Sequence, residues 1–115
     1  MKKLSAVTVV ALAVILAAAE PVPDPKMAAM QVWVGCILDA GRRLDDGKTD
    51  MFNLTADVIL ACREEFELRN DAFTAGGPAL AKLMFIQNAW TEAPEFVRML
   101  LIRDRQKQKA TEPRE

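Results

Sequence analysis

The sequence predicts an all-α protein, a small bundle of three to four helices built on an antiparallel helical hairpin clasped by one disulfide. Three observations predict it. Apolar residues beyond the first two dozen positions recur at three- and four-residue intervals, and nowhere alternate as in a strand. Glycine and proline gather between these runs. The chain holds only two cysteines, Cys36 and Cys62, and they fall at matching heights on two successive helical runs.

The chain begins with Lys2 and Lys3, an apolar run from Leu4 to Leu16, and then Ala17, Ala18 and Ala19. This order of basic, apolar and small residues predicts a bacterial-type signal peptide over residues 1–19, cleaved after Ala19. The apolar stretch is shorter than the roughly 20 residues a membrane-spanning helix needs, and it contains Ser5 and Thr8. No cysteine stands at the cleavage point, so no lipid anchor is predicted. Removing 19 of the 115 residues leaves 96, with thirteen basic against 16 acidic side chains, a formal charge of −3. A chain of that size supports a thin hydrophobic core, and a covalent staple adds to it. An exported chain meets an oxidising compartment, where Cys36 and Cys62 have one possible pairing.

Residues 20–24 carry Pro21 and Pro23 and read as an extended leader. Asp24 before Pro25 is a cap followed by proline at the first helical position, opening a single helical domain over 25–103. Met30, Trp33, Ile37, Ala40 and Leu44 form one stripe, which Asp45, Asp46 and Gly47 end. A second run extends from about Thr49 to Asn70, with Met51, Leu54, Val58, Ala61, Cys62 and Phe66 on its apolar face. Cys36 precedes Asp45 by nine residues and Cys62 follows Asn53 by nine. At 1.5 Å per residue each thiol therefore sits about 13 Å from the connecting turn, and in a hairpin they meet. Gly35 beside Cys36 is read as the position that lets the two backbones approach.

Gly76, Gly77 and Pro78 mark a break. A third helix is expected from Pro78 to Ala89 with Leu80, Leu83 and Met84 on its core face. Thr91 would cap a fourth with the stripe Phe96, Val97, Leu100 and Leu101, unless one long helix kinks at Pro94. From residue 104 to 115 apolar residues nearly vanish, and a charged, disordered tail is expected.

The missing residue types bound the chemistry. The chain has no histidine and no tyrosine, and beyond residue 19 no serine. That leaves no Ser/His or Cys/His nucleophile and no histidine base, and with the cysteines bonded together no zinc site of the common kinds. Gly41 to Thr49 imitates a phosphate-binding loop, but five residues rather than four separate its glycines, and Asp45 and Asp46 would repel phosphate. Asp45 to Asp50 also lacks the alternation of a calcium loop. Asn53-Leu54-Thr55 matches a glycosylation sequon, yet its place at a helix start predicts a capping role.

The expected class is thus a non-catalytic exported interaction module of inhibitor, immunity or stress-related type, with an unknown envelope protein as partner, no cofactor, no metal and no nucleic acid. The candidate contacts are Phe85, opposite the stripe of its own helix, together with Glu65 and Arg69, four residues apart at the edge of an apolar arc. Arg98, Arg103 and Arg105 lie in a basic C-terminal segment following an amphipathic stretch. The alternative is an envelope-associated structural protein whose basic segment touches anionic lipid. A charge-based all-α enzyme would instead bring Arg42, Arg43, Glu65, Arg69, Lys82 and Gln87 onto one pocket.

Overall fold

The computed structural model describes residues 24–111, so the expected signal peptide, most of the leader and residues 112–115 lie outside the described part. All regular structure within it is helical: α1 (Pro25–Leu44), α2 (Met51–Ala61), α3 (Arg63–Thr74) and α4 (Ala79–Thr111).

The Asp24 carboxylate accepts the Lys26 N–H at 2.9 Å and starts α1, with Pro25 in the first turn where no donor is needed. Trp33, Ile37, Ala40 and Gly41 are the buried residues of α1. The α1–α2 loop is organised by its own carboxylates. Asp45 accepts from the Gly47 N–H, and Asp46 accepts from the Lys48 and Thr49 N–H groups and the Thr49 hydroxyl. Gly47 takes φ +76°, which a side chain would resist. Asp50, rather than Asn53 or Thr55, caps α2: it accepts the Asn53 N–H at 2.9 Å and the Asn53 side-chain amide at 2.7 Å.

The predicted second helix is interrupted once, at Cys62. The break is a single turn residue. Cys62 N–H still donates to the Val58 carbonyl and Phe66 N–H to the Cys62 carbonyl, so α2 and α3 form one bent rod. Against it lies α1, with the Cys36–Cys62 bridge across the seam at 5.9 Å between Cα atoms.

Gly76, at φ +79°, turns the chain into α4. No second cap intervenes in this helix. The Thr91 hydroxyl donates back to the Gln87 carbonyl within the helix, and Pro94 sits inside the helix on an exposed position. Of the two readings of this segment, the single long helix is the observed one. Its core stripe is Ala89, Ala93, Val97 and Leu101, spaced by four, and the two alanines let it lie close to the hairpin. Leu80, Leu83 and Met84, expected on the core face, are exposed, because Phe85, Ile86 and Ala89 occupy that face instead.

Residues 104–111, expected to be disordered, are helical. Two ion pairs hold them to the loop end of the hairpin: Asp104 to Arg42 and Arg105 to Asp45, each at 2.9 Å. Gly41 permits this approach, since a Cβ there would meet Leu101. Gly35 has open space around its Cα, so close approach is the role of Gly41 and not of Gly35.

Candidate functional site

Two neighbourhoods gather the candidate residues. The first surrounds the disulfide. Phe66, Arg69 and Phe73 recur at intervals of three and four along α3 and share one of its faces. Trp33 of α1 and Phe85 of α4 close over that face. The Arg69 guanidinium carbon lies 5.2 Å from the Trp33 ring centre, 5.7 Å from Phe66, 4.9 Å from Phe73 and 5.7 Å from Phe85. The rings also pack on one another. Trp33 stacks on Phe96 at 5.1 Å and tilts against Phe66 at 4.8 Å; Phe66 meets Trp90 edge-on at 4.6 Å; Phe73 stacks on Phe85 at 6.0 Å.

Burial within this cage lowers the Arg69 pKa from its ordinary value, with the charge of Glu92 acting the other way. The guanidinium stays charged because its ordinary value lies far above neutral pH, and attraction to the ring faces offsets part of the lost hydration. One of its nitrogens donates to Asn70 Oδ1 at 2.8 Å. Its Nε is buried without a hydrogen-bond partner, and so is Glu65 Oε2 one turn earlier. Glu65 and Arg69, though four residues apart on one helix, form no ion pair among the described residues: the aromatic rings draw the guanidinium to themselves. The Glu65 carboxylate lies within 4.8 Å of both bridged sulfurs. Bonded to each other, those sulfurs lack the thiolate charge that a metal ligand requires.

Phe85 is likewise corrected. Predicted as an exposed anchor, it is half-buried between Phe73 and Arg69. Arg105 is corrected too: its bidentate contact with Asp45 commits it to the fold. Arg42 makes the same kind of contact with Asp104, which holds the Asp104 carboxyl below the usual carboxylate range and raises the arginine's own value. Arg103 lies exposed beside Met99, Ile102 and Gln106. Of the six side chains that a charge-based enzyme would gather, Arg42 pairs with Asp104, Arg43 with Asp39, Glu65 and Arg69 share the disulfide neighbourhood, Lys82 borders a hollow near Phe73 and Gln87 is exposed.

The second neighbourhood is a trough of about 600 Å³ between α2 and α4. Met51, Phe52, Thr55, Ala56 and Ile59 line one side, with Pro94, Glu95 and Arg98 on the other. Phe52 is 81% exposed, the most exposed of the large apolar side chains described. Thr55 is buried, and its hydroxyl donates to the Met51 carbonyl at 2.7 Å. Glu95 and Arg98 are the only charged residues lining the trough, and neither belongs to an ion pair among the described residues. Of the predicted contacts, Arg98 alone reaches this trough. The rest of it was signalled by α2, which carries a single charged side chain, Asp57, in eleven residues and is thus apolar beyond its core stripe.

No helix of the described part is long and apolar enough to cross a membrane. No protein-family model, curated protein or solved structure matches the chain.

Proposed function

We propose that this chain is a small exported binding module, without a catalytic role, that meets a partner protein of the cell envelope through the α2/α4 trough. The observation that carries the proposal is the trough itself, an apolar depression with a solvent-facing Phe52 on one wall and the free charge of Arg98 on the other. Soluble proteins rarely leave such an apolar surface open unless something covers it. Export is supported by the basic, apolar and small-residue order of residues 1–19 together with the bridged cysteines, a pairing characteristic of oxidising compartments.

The test is affinity capture with the oxidised protein lacking residues 1–19, from the envelope fraction of its own cells, alongside an Ala56→Trp variant. Ala56 is exposed at the trough, so the indole fills the depression without disturbing the core. One stoichiometric protein retained by the unmodified chain and lost by the variant is the expected result. Equal capture by both, or recovery of lipid or glycan alone, overturns the proposal.

The second reading, association with an anionic membrane surface, draws on Met99, Ile102 and Arg103 along the outer side of α4. Its mark is cosedimentation with anionic vesicles that is lost in the double variant Ile102→Asp/Arg103→Glu.

A further inference from the structure

The trough has a length, a floor and a charge pattern that together describe its occupant. Met51 and Ile59 are eight residues apart on α2, so the depression runs about 12 Å, slightly more than two turns of an opposing helix. Met51, Thr55 and Ile59 form its floor at four-residue spacing, the interval at which ridges of one helix enter the grooves of another. It is open along its length. A pocket for a small amphiphile encloses most of its ligand, whereas a groove between two helices is completed by a third.

The charges distinguish a protein from a lipid surface. Arg42, Arg43, Arg63 and Arg105 each have a carboxylate partner, but Arg98 has none among the described residues, and neither does Glu95 three positions before it. One acid beside one base has no net attraction for an anionic membrane, and the surface is concave where a membrane-lying helix is convex. An opposing helix satisfies both groups by placing an acid and a base one turn apart.

We infer that the trough receives one amphipathic helix of the partner protein, which sets apolar side chains on the Met51–Thr55–Ile59 floor, an acidic residue against Arg98 and a basic residue against Glu95. This rests on the binding-module reading above. Phe52 folds against the flank of the incoming helix and loses its exposure. Specificity resides in the Arg98 contact, because an apolar floor accepts many helices and a buried unpaired guanidinium accepts few.

The experiment selects from a library of 16-residue peptides, displayed on a helical scaffold with randomised outward positions, using the oxidised protein without residues 1–19. Enriched peptides should carry Leu, Ile or Phe at intervals of three and four, with Asp or Glu one turn from Lys or Arg. Arg98→Glu should weaken those peptides at least tenfold and, in a fresh selection, replace the acid with Lys or Arg. Ala56→Trp, shown to be folded by an unchanged unfolding midpoint, should bind neither set. Peptides lost with Ala56→Trp but indifferent to Arg98→Glu would refute the helix-and-charge inference and leave the trough as a binding surface. Failure to enrich any peptide, enrichment undiminished by Ala56→Trp, or a dimer of this chain that protects Phe52 would overturn both.

Discussion

Replacing both cysteines in Cys36→Ala/Cys62→Ala removes the bridge without placing a hydroxyl in the core, which matters because Cys62 is fully buried. The bridge spans a sequence separation of 26 residues. In the chain-entropy treatment, releasing a loop of that length costs about 3.5 kcal/mol at 25 °C. For a domain of this size each kcal/mol is worth roughly 4–8 °C in Tm, so the midpoint should fall on the order of 15–25 °C. The position of the bridge adds a local effect. Cys62 is where α2 bends into α3, and it joins the midpoint of α1 to that bend, so the Trp33–Phe66 contact close by should loosen first. Urea unfolding followed by tryptophan fluorescence gives the free energy, and near-UV circular dichroism reports the rings. A loss under about 1 kcal/mol, repeated when the unmodified protein is reduced by a phosphine, would refute the reasoning, because the helical seam would then hold without its clasp.

Other outcomes follow from single contacts. Gly41→Ala drives a methyl group into Leu101 and should destabilise by about 1–3 kcal/mol, less any gain in helix propensity, whereas Gly35→Ala meets open space and should stabilise by about 1 kcal/mol; chemical denaturation of the two variants decides which glycine the seam requires. Arg69→Ala empties the centre of the aromatic cage and should cost roughly 2–4 kcal/mol, while Arg69→Met, which fills the space and removes the desolvated charge, should lie within about 1 kcal/mol of the unmodified protein by the same measurement. Asp104 is held below its unfolded value of roughly 3.9, so its pair with the largely exposed Arg42 contributes stability above about pH 4 and loses it as the pH falls through the lower folded value. Asp104→Asn should therefore cost about 1 kcal/mol or less at pH 7 and progressively less as the solution is acidified, and a constant difference across a pH series of melts would contradict the ion pair.

The hairpin was legible because its signals are local. Asp24-Pro25 starts a helix by fixed chemistry, and the heights of Cys36 and Cys62 follow from helical rise alone. The single break at Cys62 was not legible, since the residues from Val58 to Phe66 keep an unbroken helical period. The second half of the domain was misread where tertiary contacts outweigh local pattern. Leu80, Leu83 and Met84 make a convincing stripe, yet the face that meets α3 is chosen by Phe85, whose ring stacks on Phe73 beside Arg69. Residues 104–111 look disordered in isolation because nothing apolar orders them. Their order comes from Arg42 and Asp45, some 60 positions away, which no local window contains. In the site the same division holds: Arg98 was visible as a charge, but its trough needs α2 and α4 side by side.

The polar groups of this chain divide into two sets with different consequences. Arg42, Asp45, Asp104 and Arg105 tie the far end of α4 to the loop end of the hairpin, the bridge secures its middle, and Arg69 is held by rings from α1, α3 and α4. Each of these contacts crosses between elements, so each limits relative motion of the helices. The α2/α4 trough is bounded by elements fixed in this way, and its shape in the free protein is accordingly the shape the proposed partner would meet. A preformed groove avoids the ordering cost that a flexible surface incurs on binding. Loosening the frame at a distance should then weaken binding through the trough before it abolishes folding. Arg105→Gln, which removes the charge opposite Asp45, leaves the loop hydrogen bond of Asp45 in place and touches no trough residue, offers the clean case: it should lower affinity for trough-binding peptides by slowing association or hastening dissociation while the helical content stays unchanged. Unaltered affinity in a variant shown to have lost this pair would mean that the groove is held by α2 and α4 alone.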